Sequence, residues 1–529
     1  MKSSSKRYLY AIWLLLIGGF AILHALHLRA DFPNHTIWFS DWAKYTDEGW
    51  YGNAAIRAHL FGSWYLPGDF NPAPAVPVWP FLEWVVFSFT GVTIQAARGL
   101  AVTFFFVNLL LSYLLLRNTG SRWMALLALT LIVTSPFLYC FSRLAILEPM
   151  LVALTLAAMN LAVRLPNLRR PFFSSALIGV IFTLMMLTKT TAVFLLPAVI
   201  WAVVLPLWNN KRLALRYVLA AAAAFATAFG LWMALVVSHG LLRDYRYLFF
   251  INKYDKPPEF YWPLISLWWS FHGGLWVDRI LIPLAGIIAL GAALAWRSAL
   301  ARRLLLDPVF GASAWAVAGY ILFMTYQNHP QPRYFAVVAF FSFFMLAQGI
   351  EVLLGKGALA SPKPARIAGF AVVALTMVAV GLNATQTGAF AAHPEYTLVN
   401  AVNQLTQYID AHPNGNRMVV SISGDEITLL SQLQAMCDDF GTQHLDARLT
   451  AYQPGWYATW NDIDPGILES IHESYSMEQV ATFPALDDPQ RNLLVLFKLH
   501  ALPGGKYRDP SVQDLTEILP DDKINIPLE

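Results

Sequence analysis

Long runs of apolar residues recur along the first 390 positions of the chain. A helix needs roughly 20 apolar residues to cross the hydrocarbon of a membrane, and most of these runs come close to that length. The pattern therefore predicts a bundle of about eleven transmembrane helices. They are expected at residues 8–28, 100–116, 123–141, 147–163, 172–188, 191–208, 217–238, 277–296, 308–326, 334–354 and 367–388.

A further apolar run, at residues 76–91, is excluded from this count. It is short for a membrane span, and a series of prolines, beginning at Pro72 and ending at Pro80, breaks any continuous helix. Counting it as a span would also place Arg117 and Arg122 on the outer side, against the positive-inside rule. We expect this run to lie in the membrane interface, where nearby Trp and Tyr side chains are favourable.

The basic clusters that flank the predicted spans then all fall on one side of the predicted bundle. Six clusters share that side, and we take it as cytoplasmic because Lys and Arg concentrate in cytoplasmic loops. They are Lys2, Lys6 and Arg7; Arg117 and Arg122; Arg164, Arg169 and Arg170; Lys211, Arg212 and Arg216; Arg297, Arg302 and Arg303; and Lys356, Lys363 and Arg366. The N-terminus is thus predicted inside, and the long loop at residues 29–99 outside.

The hydrophobic spans stop near residue 390, and residues 391–529 have the pattern of a soluble domain. Strands are predicted at residues 417–422, 455–460 and 492–499, with helices at 427–436 and 466–475 and a turn at Gly424 and Asp425. Strands that alternate with helices favour a small α/β domain. The count of spans places this domain on the outer side.

Composition agrees with a multispanning membrane protein, since 57% of the residues are hydrophobic and 13% are charged. A net charge of +3 gives no indication of a nucleic-acid partner. The two cysteines, Cys140 and Cys437, are too few for a disulfide framework or a cysteine-rich metal site.

Two adjacent acids, Asp47 and Glu48, follow the first predicted span and precede a helical pattern. They either cap the helix that begins near Gly49 or carry chemistry. Further ionisable residues are expected at the same outer face: Arg98, Arg143, Glu148, Lys189 and Arg333, with His329 and Tyr334 beside the last of them. Each alone could be a cap or a snorkelling side chain. Together they predict a binding site for an anionic lipid head group.

These segments resemble the GT-C class of integral-membrane glycosyltransferases, near its protein O-mannosyltransferase and aminoarabinose transferase branch. The similar pieces lie in the same order along residues 8–352. They are Asp47-Glu48-Gly49-Trp50-Tyr51, residues 89–98, Ser142-Arg143 through Glu148-Pro149-Met150, Leu187-Thr188-Lys189, and Pro332-Arg333-Tyr334. The chain departs from the family pattern in having Glu148 where an Asp is common and no lysine within residues 71–77.

The resemblance implies transfer of one sugar from a polyprenyl-phosphate carrier to an acceptor lipid, glycan or protein at the outer face of the cell membrane. Asp47 is then the base that accepts the acceptor's proton, and Glu48 orients the acceptor or the base. Cations stabilise the leaving phosphate, with Arg333 and Lys189 first and Arg143 and Arg98 after them. Direct displacement would invert the anomeric centre. A divalent metal held by Asp47 and Glu148 is an alternative that the resemblance leaves open.

Two other functions fit the same residues. A transporter or flippase of lipid-linked sugars would also have many spans and buried charges, but it would favour repeated halves and broken helices at mid-membrane. A non-catalytic protein of envelope assembly would use Asp47 and Glu48 only as a helix cap. It predicts that Asp47→Asn is tolerated, whereas the transferase predicts loss of turnover with retained folding.

Overall fold

The computed structural model describes residues 3–31, 46–251, 261, 264, 280–326, 331–355, 361–422, 424–461, 463–485 and 492–503. A helix bundle forms the first part, and a domain with one five-stranded sheet follows it. The bundle helices are α1 (Ser3–Leu23), α2 (Asp47–Phe61), α3 (Val78–Thr90), α4 (Ile94–Thr119), α5 (Arg122–Thr134), α6 (Pro136–Phe141), α7 (Glu148–Arg164), α8 (Pro171–Thr188), α9 (Leu196–Val204), α10 (Lys211–Ser238), α11 (Leu242–Arg246), α12 (Leu281–Leu294), α13 (Ala299–Leu305), α14 (Pro308–Tyr326), α15 (Phe335–Leu353) and α16 (Lys363–Ala392).

Among the described residues, eight helical segments are long and apolar enough to cross a membrane. They correspond to eight of the predicted spans, and the other three match the shorter helices α1, α5 and α12. The span predicted at residues 123–141 is two helices, because Pro136 cannot continue the hydrogen bonding of α5. Ser135 caps the second helix by accepting a hydrogen bond from the Leu138 amide at 3.1 Å.

Helix α15 lies at the centre of the bundle and packs against α5, α12 and α14. In its most apolar stretch, 89% of the residues are buried. In α10 only 6% of the corresponding stretch is buried, although that helix is equally apolar. An apolar helix with so much exposed surface needs lipid around it. Where α8 meets α10, a Cβ at Gly179 would lie 2.0 Å from the Ala221 carbonyl oxygen, so only glycine permits this approach.

The interfacial run predicted at residues 76–91 forms α3, which packs against α2. Its 13 residues extend about 20 Å, less than the roughly 30 Å of the hydrocarbon layer. This length agrees with a helix that lies beside the membrane core. The two helices together occupy much of the first outer loop, and α2 begins at the two acids singled out above.

The domain after the bundle is called the outer domain here because the positive-inside rule predicts it on the outer side. It contains α17 (Thr397–Ala411), β1 (Val419–Ser421), α18 (Gly424–Ser431), β2 (Ala435–Cys437), α19 (Leu445–Tyr452), β3 (Trp456–Trp460), α20 (Pro465–His472), β4 (Tyr475–Pro484) and β5 (Leu493–Ala501). The sheet order is β2-β1-β3-β5-β4. Strand β1 is parallel to β2 and β3, whereas β5 is antiparallel to β3 and β4.

Neighbouring residues of the central strands face two different cores, because side chains alternate across a strand. Val419 and Trp456 pack under α17, whereas Val420 and Tyr457 pack with α19 on the other face. The expected small α/β domain is therefore present, with its sheet covered on both faces.

Several local predictions in this domain were wrong. Gly424 and Asp425 begin α18 instead of forming a turn, and the helix predicted at residues 427–436 ends at Ser431. Residues Ala435–Cys437 form β2, a strand too short for a periodic pattern to show. The pattern also missed α17, α19 and β4. Both cysteines are buried, and no disulfide joins them.

Candidate active site

Asp47 is the first residue of α2, where a carboxylate is favoured by the positive end of the helix dipole. Its side chain is buried, and one carboxylate oxygen, Oδ2, lies 2.9 Å from Nε of Arg333. The hydroxyl of Thr46 donates a hydrogen bond to the other oxygen at 3.0 Å. The positive guanidinium and the positive end of the helix dipole therefore both lie beside this carboxylate.

Arg333 comes from a distant part of the chain, in the 3-10 turn Pro332–Tyr334 that leads into α15. Its guanidinium carbon lies 5.0 Å from the centre of the Tyr334 ring. Both side chains are buried. The pattern of a polar loop before an apolar helix predicted Arg333 and Tyr334 as site residues. The structure places Arg333 against Asp47 and Tyr334 beside Arg333.

A second buried ion pair lies beside the first. Glu148 begins α7, Lys189 follows the last residue of α8, and Nζ of Lys189 is 2.5 Å from a Glu148 carboxylate oxygen. The same Nζ lies 4.9 Å from the centre of the Tyr334 ring and 5.5 Å from that of Tyr51. Tyr334 therefore contacts both cations. We call the group formed by Asp47, Arg333, Tyr334, Lys189, Glu148 and Tyr51 the charged cluster.

Tyr51 belongs to this cluster although only its neighbours had been predicted as site residues. It stands four positions after Asp47 on α2, so the two side chains share one face of the helix. Burial, followed by the negative charge of Asp47, raises the pKa of the Tyr51 phenol well above its ordinary value. Tyr51 is therefore a neutral hydroxyl at physiological pH. The sequence feature that could have identified Tyr51 was its spacing of four residues from Asp47.

Glu48 has a different environment from Asp47. Arg98 binds both of its carboxylate oxygens, at 2.8 and 2.5 Å, and the amide of Ala145 donates to one of them at 2.7 Å. Arg98 also donates to the carbonyl oxygens of Leu28 and Ala30. This pair joins α2, α4 and the chain after α1, so its clearest effect is to hold the start of α2 in place.

Arg143 likewise binds groups of the chain itself. Its guanidinium donates to the hydroxyl of Tyr139 and to the carbonyl oxygens of Leu26 and His27. These contacts fix the segment after α1 and do not include a member of the charged cluster. A role of Arg143 in binding substrate stays a prediction. His329, the remaining predicted site residue, lies outside the described residues.

The fit of a divalent metal can be tested on the two carboxylates proposed to hold it. Asp47 is paired with Arg333 and Glu148 with Lys189, so each acid already has a cationic partner. In the described part of the chain, no group of three or more His, Cys, Asp or Glu side chains has the arrangement of a metal site. The charged cluster thus presents ammonium and guanidinium groups where a metal would act, and it does not fit a metal held by Asp47 and Glu148.

Comparison with known proteins identifies others that are similar to this chain. Residues 73–241, about a third of the chain, match the dolichyl-phosphate-mannose-protein mannosyltransferase family. No curated protein sequence matches the chain. The crystal structure of ArnT from Cupriavidus metallidurans bound to undecaprenyl phosphate is similar with a TM-score of 0.56 and 13% identity, over 92% of this chain and 98% of that chain. The apo state of ArnT gives a TM-score of 0.53 and 14% identity, over 92% and 98%.

The chain has the GT-C fold. The predicted resemblance to the protein O-mannosyltransferase and aminoarabinose transferase branch is confirmed, as is a helix bundle with a C-terminal α/β domain. In this GT-C chain, the family match extends from α3 to α10 and includes Glu148 and Lys189. Asp47 and Arg333 lie outside the matched residues, so their assignment depends on the geometry of the charged cluster.

Proposed function

We propose that this GT-C chain is a glycosyltransferase that moves one sugar from a polyprenyl-phosphate carrier to an acceptor at the outer face of the membrane. The observation that supports it most directly is the charged cluster, in which a buried carboxylate at a helix start contacts one of two buried cations that share a tyrosine ring. A base beside cations is what transfer from a phosphate donor requires.

Asp47 is the proposed base. An acceptor hydroxyl must lose its proton as it attacks the anomeric carbon, and a carboxylate can accept that proton. The C–O bond to the carrier phosphate breaks as the new glycosidic bond forms, so a single displacement inverts the anomeric centre. The proton ends on Asp47 and the bonding electrons on the phosphate oxygen. The role proposed for Glu48 is to orient Asp47. Its ion pair with Arg98 fixes the start of α2, where Asp47 lies.

The leaving phosphate needs positive charge and no proton donor, because it is already a stable anion. Lys189 and Arg333 supply two positive charges, at 4.9 and 5.0 Å from the centre of the Tyr334 ring. A guanidinium has five N–H donors, so Arg333 can contact Asp47 and a phosphate at the same time. We place the phosphate of the donor against these two side chains. No step of this mechanism passes through a metal.

The lipid part of the donor has a matching surface. A cavity of about 400 Å³ with almost entirely apolar walls lies between α2, α3 and the end of α10, with Ala54, Ala58, Trp84 and Trp232 among its lining residues. Ala54 and Ala58 follow Tyr51 by three and seven positions on α2, so they continue the face that reaches Lys189. We propose that the isoprenoid chain lies here. The similar fold of ArnT in complex with undecaprenyl phosphate supports a polyprenyl carrier.

The protein is proposed to act in the inner or plasma membrane, with its N-terminus in the cytoplasm and the outer domain on the opposite side. The distribution of Lys and Arg supports this orientation, and the charged cluster would then lie at the outer face. The sugar and the acceptor depend on the shape of the pocket that surrounds them, which residue types alone do not specify.

The test is turnover in proteoliposomes with a panel of polyprenyl-phosphate sugars. We expect the native chain to release polyprenyl phosphate from at least one donor, and Asp47→Asn to lower kcat by roughly 10²–10⁴-fold, the usual contribution of a general base. Asp410→Asn is the matched control, since Asp410 is exposed and its ion pair is with the exposed Arg417. Equal turnover of Asp47→Asn and the native chain would remove Asp47 from the mechanism. Passage of donor across the bilayer without sugar release would instead indicate a transporter.

A further inference from the structure

The helix that presents Asp47 begins in direct contact with the outer domain. A Cβ at Gly49 would lie 2.2 Å from the backbone nitrogen of Glu426 and 2.3 Å from the carbonyl carbon of Asp425. Both neighbours are backbone atoms and cannot rotate away. The start of α2 and the start of α18 therefore meet backbone to backbone, at a position where any residue larger than glycine would force them apart.

At this contact, the side chain of Glu426 caps the N-terminus of α2. The Gly49 amide is among the first N–H groups of the helix, which have no partner within it. The side chain of Thr46, the residue that precedes the helix, makes no capping hydrogen bond. A carboxylate oxygen of Glu426 accepts the Gly49 amide hydrogen at 2.8 Å, across 377 positions of sequence. A cap that is normally local is thus supplied by another domain.

The same face of α2 carries two more contacts with α18. Asn53 donates to Asp425 at 2.9 Å, and Nε of Arg57 donates to Asp425 at 2.9 Å. Gly49, Asn53 and Arg57 are spaced by four residues, so they form one stripe along the helix. Asp47 and Tyr51 lie on a different stripe, which faces Arg333 and Lys189. One side of α2 is held by the outer domain while another presents the charged cluster.

We propose that Glu426 is a positioning residue for the reaction, because it caps the Asp47 helix from the outer domain and so fixes the Asp47 carboxylate against Arg333. This inference rests on the proposed function for its effect on turnover, but the capping contact itself does not. The outer domain is then part of the catalytic apparatus. Burial, followed by the charge of Glu48, raises the pKa of the Glu426 carboxyl.

The experiment compares the full-length native chain, Glu426→Ala and Glu426→Gln in proteoliposomes, with Glu478→Ala as an exposed acid of the same domain for control. Glu426→Ala removes the acceptor of the Gly49 amide, and we expect kcat to fall roughly tenfold, as for the loss of a good cap, with the KM for the donor changed less than about twofold. Glu426→Gln keeps an oxygen that accepts this hydrogen bond and is expected to restore most of kcat.

Hydrogen exchange of α2 is the second measurement and needs no substrate. We expect faster exchange of the amides near Gly49 in Glu426→Ala and near-native exchange in Glu426→Gln. Native kcat in Glu426→Ala, a Gln variant as impaired as the Ala variant, or unchanged exchange would each overturn the proposal. If the native chain turns over no donor, the proposed function fails, and the exchange data still decide whether Glu426 caps α2.

Discussion

Removal of the Lys189 ammonium group separates its structural role from its proposed role in binding the donor. The group is 95% buried, forms a 2.5 Å ion pair with Glu148 and lies near the rings of Tyr51 and Tyr334. Lys189→Met keeps most of the volume and the flexible chain but removes the charge. Glu148 is then left as a buried carboxylate without its cation.

The magnitude follows from that burial. Breaking a buried ion pair by removing one partner costs about 3–5 kcal/mol, because the remaining charge is desolvated and uncompensated. Removing both charges with residues of similar volume is often close to neutral. We therefore expect Lys189→Met to lower the free energy of unfolding by about 3–5 kcal/mol, and the double variant Lys189→Met, Glu148→Gln to recover most of it.

Donor binding should behave differently in the same pair of variants. A hydrogen bond to a charged group contributes about 1.5–3 kcal/mol, so loss of the Lys189 contact with phosphate weakens donor binding roughly 10–150-fold. Glu148→Gln does not restore that positive charge. The double variant should thus be stable and still bind the donor poorly.

The assay combines unfolding in mixed micelles with titration of a polyprenyl-phosphate sugar onto the reconstituted protein. Glu351→Gln is a suitable control, since Glu351 accepts the Ser121 amide hydrogen at 3.1 and 3.4 Å and lines a different cavity. A double variant that binds donor as tightly as the native chain would refute the placement of phosphate on Lys189. A Lys189→Met variant that is as stable as the native chain would refute the estimated cost of leaving the buried Glu148 carboxylate without its cation.

Three further predictions concern packing, pH and metal. Gly179→Ala should destabilise the bundle by about 1–3 kcal/mol or more, because its Cβ would meet the Ala221 carbonyl oxygen, whereas Gly230→Ala, with open space around it, should be neutral in the same unfolding assay. Burial raises the pKa of Asp425 to about 6 among Arg57, Asp69 and Asn53, so the folded state holds a proton that the unfolded chain releases near pH 4. The free energy of unfolding should then fall by up to about 3 kcal/mol between pH 4 and pH 6. This slope should appear when the value for Asp425→Asn is subtracted from that for the native chain at each pH. Chelation of divalent ions should leave turnover unchanged, because Asp47 and Glu148 have cationic partners; activity that returns only with added metal would contradict this.

Hydropathy along the chain was sufficient to predict the helix bundle. Each apolar run must bury its backbone polar groups in helical hydrogen bonds, so length and composition specify the element almost alone. The same reasoning singled out Asp47, Glu148, Lys189 and Arg333, since ionisable groups at a membrane border are costly, and the structure brings these side chains into one cluster. Local patterns were less informative in the outer domain, where the three-residue strand β2 has no period to detect.

Only the tertiary structure decided which charges pair. Two adjacent acids with the same local sequence have different partners, Arg333 for Asp47 and Arg98 for Glu48, because neighbouring residues on a helix point in different directions. The cap of α2 by Glu426 was equally beyond local pattern, since the two residues meet across 377 positions. Sequence specifies the elements through short-range hydrogen bonding and hydrophobicity. The site is formed by contacts between distant segments, whose partners depend on how the whole chain packs.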